Sequence, residues 1–317
     1  DTAATMITTG AVEVLASNDG FVGSFAIAGA STSDGGKDEP EAESGTPTSS
    51  DGDTKDDAGE SGNDEESFDD ILGDVQGLFD LGGSSEGGSA SAGQSNSGKN
   101  GVGISGSVTV NILEEYARAH INNLGTFTAT DITIQGQAST AAVATAGGIS
   151  LSRGTGKGTN VGIGGAAAVN VLEGEVLAGI DGATTLTANS VDIDAIRDNT
   201  VVSISAGLAG ASGKKGIAVG GSVSVNLLDS DTNAFIRNIA TSAVINGAVS
   251  VNSRDESLLI VIGGSGGFGG RAGVGIGVAY TSMDNSVSSE IDSITSLKHL
   301  GNLDVTATAD ASIVAIS

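Results

Sequence analysis

Thirty-nine acidic side chains against 13 basic ones give this 317-residue chain a formal charge of -26. That excess argues against nucleic acid, whose phosphates need basic patches, and against anionic membrane surfaces. Without cysteine the chain can build no disulfide, thiol nucleophile or zinc–thiolate site.

Its apolar mass is mostly Ala, Val and Ile, accompanied by 51 glycines, two tyrosines and no tryptophan. β-Branched residues favour strands, and Gly and Ala permit close backbone approach, so a long thin β-structure is expected. The most apolar run, LLIVIGGSGGFGG from Leu258, falls short of the ~18–20 residues of a membrane helix. The first residues carry no basic and apolar leader.

Residues 1–33 are expected to start a β-solenoid, with TTGAVEVLAS near Gly10 as a first strand-like segment. Residues 34–100 then interrupt it as an acidic, Gly/Ser-rich insertion holding both prolines, Pro40 and Pro47. DGDTKDDAGESGNDEES has the composition of a solvated segment, and SSEGGSASAGQSNSGKNG that of a flexible linker. Between them the spacing predicts a short helix over about 67–80. Phe68, Ile71, Leu72, Val75, Leu78 and Phe79 share one face, and Ser67 stands at the N-cap. That face could pack on the β-structure or dock in a partner's groove. The acids could also take up Ca²⁺, although Lys55 breaks the EF-hand pattern. No other cofactor is expected.

Residues 101–317 repeat. GVGISGSVTVNIL, GVGIGGAAAVNVL, GIAVGGSVSVNLL and GVGIGVAYTSM recur, placing Asn111, Asn170 and Asn226 at spacings of 59 and 56 residues, with Ser282 as fourth member. Ile121, Ile180, Ile236 and Ile291 keep the same order downstream. Alternation in VDIDA, SVSVN and DITIQ has the period of two that marks strands. The chain therefore reads as about four units of 56–59 residues from a longer array, each stacking on the next. Their nearest partners are neighbouring repeats of that longer chain.

The fold class expected is all-β, an elongated solenoid forming a right-handed parallel β-helix. The alternative is a stacked array of β-hairpins turning at Lys214 and Lys215. Val108, Val110, Val169, Val223, Val225 and the four isoleucines are expected to point inward. The three asparagines are expected at coil corners, where Asn tolerates a left-handed backbone. A unit winding two coils would set them about 9.6 Å apart, too far for a direct ladder.

No catalytic constellation is expected. The two histidines, His120 and His299, lie in strand-corner contexts without HExxH or Ser-His-Asp surroundings. Glycine-rich runs lack GxxxxGK[ST] and open no helix. Glu114, Glu115, Asp192 and Asp194 are the acids a polysaccharide-cleaving site would draw on, but the repeats offer few aromatic platforms for sugars.

The repeated G-[VI]-[GA]-[IV]-x-G-[SA]-x-x-V-N-[IV]-L resembles the repeat region of very large secreted bacterial exoproteins, the leukotoxin-like filamentous adhesins of the two-partner and autotransporter type. The resemblance covers residues 101–317 and the segment before the insertion, not residues 34–100. It implies a right-handed β-helical shaft, export to the bacterial surface or medium, and a role in adhesion to a host cell, matrix or another cell surface; composition and motifs add the expectation of no enzymatic activity and no membrane insertion. A β-helical polysaccharide-active enzyme and a repeat segment of a secreted toxin are the alternatives.

Overall fold

A computed structural model describes residues 4–33, 86–94, 101–153 and 158–317, of which 33 and 86–94 are described by their backbone. The helix expected over 67–80, with Phe68, Ile71, Leu72, Val75, Leu78 and Phe79, lies outside the described residues, as does the acidic run considered for Ca²⁺. The described chain is all strand and turn. It passes alternately between two facing sheets as a parallel β-solenoid.

One sheet takes β1 (Ala4–Ile7), β3 (Glu86–Gln94), β4 (Gly101–Thr128), β6 (Asn160–Ala188), β8 (Ile217–Ile245), β11 (Ala272–Ile294) and β12 (Leu297–His299). The other takes β2 (Val12–Ser33), β5 (Asp131–Arg153), β7 (Ser190–Ala211), β9 (Val249–Asp255), β10 (Leu258–Gly269), β13 (Leu303–Ala309) and β14 (Ser312–Ile316). Every ladder but one is parallel. The Lys214–Lys215 turn therefore joins strands of different sheets, and the hairpin alternative is not formed.

The exception is β3, which runs antiparallel along β4 from Gln94↔Val102 to Glu86↔Val110. The Gly/Ser stretch read as a linker thus supplies a strand. It covers Val102 to Val110 of the β4 edge, on which β1 pairs from Leu124 to Thr128. An uncovered edge would expose a row of unpaired backbone groups.

One unit makes one coil. Asn111 pairs in register with Asn170, and Asn170 with Asn226. The fourth member is Thr281 rather than Ser282, because β11 pairs Thr281 with Asn226. The left-handed corner is not at these asparagines. It falls at Asn123, Gly182, Asn238 and Ser293, with φ of 54°, 79°, 60° and 52°, one residue per coil at the same level. Asn, Gly and Ser tolerate that backbone where β-branched residues do not.

Each coil has two unlike halves. In the corner half, strands such as residues 116–128 and 131–139 bury Phe127, Ile132, Ile134, Ile180, Leu186, Ile193, Ile236, Ile239 and Ile245 in one continuous core. Ile121 and Ile291 pack against it, partly buried. The outer face there carries charge, including Arg118, Glu175, Asp192 and Asp231.

In the turn half the pattern inverts. Gly103, Ser105, Ser107, Thr109 and Asn111 face inward, and so do Ala166, Ala168, Asn170, Ser222, Ser224 and Asn226. Val108, Val110, Val169, Val223 and Val225, expected inside, point outward, with Val223 41 % exposed. The reason is space. A Cβ on Gly148 would run into the Gly165 backbone, one on Gly164 into Leu208, and one on Gly207 into Gly221. The sheets come almost into backbone contact here, so only small inward side chains fit. Each coil is therefore a wedge, thick at the corner and thin at the turn.

Candidate functional site

The thin half is joined by hydrogen bonds rather than by a large apolar core. Ser107 Oγ donates to Gly147 O (2.8 Å), Ser150 Oγ to Gly103 O (2.6 Å) and Ser152 Oγ to Gly101 O (2.8 Å). Asn111 Nδ2 donates both to Val143 O across the sheets (3.0 Å) and to Asn170 Oδ1 in the next coil (2.8 Å). Asn170 Nδ2 continues to Asn226 Oδ1 (2.8 Å). The asparagines make the direct buried ladder that a two-coil unit would have ruled out. In Asn170→Ala, the Asn226 Oδ1 acceptor is stranded where water cannot reach it. Such a loss costs about 1–3 kcal/mol, to be read from the urea unfolding midpoint.

Where the halves meet, a charged layer lies between the sheets. Glu115, Arg197, Asn199 and Asp255 are all buried. Glu115 accepts from Thr140 Oγ1 (2.6 Å) and Asn199 Nδ2 (2.9 Å). Asp255 accepts from Ser257 Oγ (2.5 Å), Asn285 Nδ2 (3.0 Å) and Ser230 Oγ (3.2 Å). The Arg197 guanidinium makes no hydrogen bond among the described residues. It occupies room left by Gly174, whose Cβ would stand 2.9 Å from Arg197 Nη2. Burial lowers the Arg197 pKa, and Glu115 and Asp255 oppose that shift. The layer holds one cation between carboxylates, all buried from solvent. Sequence reasoning passed over Arg197, yet its parity with Val191, Ile193 and Ala195 already marks it as inward.

The four candidate acids do not converge. Glu114 is exposed on the first sheet's outer face while Glu115 points between the sheets. Asp192 and Asp194 stand on the outer face of the second sheet, where burial pushes the Asp194 carboxyl up against the opposing Asn252 hydrogen bond. His120 and His299 occupy different levels of the coil, and the His299 ring contacts only the Gly301 carbonyl (3.0 Å). Among the described residues no group of three or more His, Asp or Glu gathers as a metal site, and no helix is long and apolar enough to cross a membrane.

On the outer face of the corner half, Asp181 accepts from Asn238 Nδ2 (2.7 Å) and Arg237 Nε (2.9 Å). The Asn238 bond, then Arg237, hold its carboxyl below the ordinary 3.8, against some burial. A folded pKa below the unfolded one adds stability above the unfolded value and loses it as pH falls through the folded value. The stability advantage of the parent over Asp181→Asn is therefore expected to be full at neutral pH. It should fade in urea titrations as pH falls below the unfolded value of about 4 and through the lower folded value.

The most extensive feature is the outer surface of the thin half. Residues 101–113, 160–172, 217–228 and 272–283 contain no charged side chain. Ile104, Ile112, Ile163, Val219, Val223, Ile276 and Val278 are exposed along them. At the corner side this band ends on a stacked row of exposed acids, Glu114, Glu173, Asp229 and Asp284. At the turn it ends on Arg153, Lys214, Lys215 and Arg271, all exposed. No family model, curated protein or solved structure matches this chain.

Proposed function

We propose that this chain is a shaft segment of a large secreted or surface-exposed bacterial exoprotein of the adhesin kind, holding binding regions away from the cell, and that it is not an enzyme. The observation that carries this reading is the shared register from β4 through β6 and β8 to β11, in which each coil repeats the last with a one-residue shift between Ala183 and Thr185 on the β6–β8 ladder. Such a stack gains length at about 4.8 Å per coil, and its acids and histidines are dispersed rather than gathered in a cleft. The likeness of the repeat to exported filamentous adhesins supports the location and the adhesive role.

The test has two arms. Variants carrying one and two extra copies of residues 160–216 should lengthen by about 4.8 Å per copy in small-angle scattering. Beads coated with the chain should bind host cells or matrix, and removal of residues 36–84, which spares β3, shows whether the insertion carries that contact. Unchanged length on adding units would end the shaft reading. Hydrolysis of a polysaccharide panel would replace it with the enzymatic alternative.

A further inference from the structure

We infer that, of the two uncharged outer faces of the thin half, the one on the sheet of β4, β6, β8 and β11 is a self-association surface, on which a second copy of this chain packs with its strands reversed. This goes beyond the shaft reading and does not depend on it.

The band is as large as the largest apolar patches of monomeric proteins. Its outward residues run from Val102 to Ile112 on β4 and over the matching positions of β6, β8 and β11. Ten residue steps of about 3.3 Å across four strands about 4.8 Å apart give roughly 600 Å². A monomer's largest apolar patch is typically ~300–600 Å² and is often functional, while stable complexes bury about 800 Å² per partner. Four coils therefore support a weak dimer, and the surface grows with every coil.

The order of charges selects the partner and its orientation. Among the described residues one margin of the band is acidic and the other basic, so from β6 to β11 the face complements its own image turned end to end, whereas at β4 the turn margin receives the acidic insertion. A two-fold axis lying between two such faces, parallel to the stack of coils, reverses the strands and keeps coil opposite coil. It sets Lys214 and Lys215 of each copy beside Asp229 of the other, and Arg271 near Asp284. The other two-fold arrangement, with the axis along the strands, would press basic turn on basic turn. Isologous contacts of this self-complementary kind are the commonest in protein dimers.

The centre of the band is shaped for close approach. Midway between the margins lies the row Gly106, Gly165 and Gly221, stacked in register and continued on β11 by the exposed Ile276. A Cβ on Gly106 or Gly221 would meet nothing within 4 Å. With the axis along this row, Val219 of one copy faces Val223 of the other. A lipid bilayer fits less well. The acidic insertion joins the solenoid at this same turn, so crossing a bilayer would carry its carboxylates through.

Sedimentation of the 317-residue chain over a wide concentration range is the experiment. Reversible dimerisation is expected. Ile163→Glu with Val223→Glu, both outward, should weaken it at least about a hundredfold while circular dichroism and the melting temperature hold. Lys214→Glu with Lys215→Glu should weaken it at least about tenfold, and adding Glu173→Lys and Asp229→Lys to the same chain should restore it. Because the rescue is within one chain, loss of folding cannot imitate it. A chain that stays monomeric at all concentrations overturns the inference. So does association untouched by either pair of substitutions. Flotation of a monomeric chain with vesicles of phosphatidylcholine and phosphatidylserine would instead assign the face to lipid.

Discussion

Arg197→Met should destabilise the solenoid by about 3–5 kcal/mol, the cost of removing one member of a buried charge cluster and leaving the others uncompensated. Glu115 and Asp255 are hydrogen-bonded, but only by neutral donors. With the guanidinium gone, Glu115 and Asp255, in the coils on either side of it, are left buried without a cation. Combining Arg197→Met with Glu115→Gln and Asp255→Asn should recover most of the loss, because no net charge then remains in the layer. Urea midpoints at unchanged slope measure both variants. A single-variant loss below about 1 kcal/mol would mean that water reaches the layer and already solvates the acids.

Ile180→Ala is the second large effect, expected at about 2–4 kcal/mol. Ile180 is 1 % exposed and lies in the thick half among Ile121, Ile236 and the facing isoleucines of β5 and β7. Val223→Ala removes a β-branched side chain from the outward face of the thin half, and under conditions where the chain is monomeric it should cost less than about 0.5 kcal/mol. The pair separates the two halves of a coil by thermodynamics alone. Equal losses would put Val223 inside and reverse the inverted register.

Why the isoleucines were legible in the sequence and the valines were not follows from the same geometry. A period of two states that a strand has two faces without stating which is buried. In VDIDAIRDN, Asp192 and Asp194 mark the outer face, so Val191, Ile193 and Ala195 must be inside. In GVGISGSVTVNIL no charge marks either face, and apolarity points to Val108 and Val110. Sheet separation decides otherwise, and separation is set by glycines on both sheets whose proximity no single strand reveals. The asparagine ladder was hidden for a related reason. Whether 56–59 residues wind once or twice depends on strand length, and strands of 22–29 residues lie far outside the usual 3–10. The stacking of repeats and the strand content needed only the period.

Those long strands have a mechanical consequence. Tension along the stack of coils acts across the ladders, and each junction between coils is crossed by two of them. In the junction of β4–β5 with β6–β7 these run from Gly101 to Thr128 and from Asp131 to Ser152. The bonds of one junction share the load in parallel, while successive junctions bear it in series. Rupture force is then governed by coil width, and extra coils add length without adding strength. A pull on one corner is different, since it peels the bonds in sequence. The same chain would resist axial traction and yield to prying at an edge.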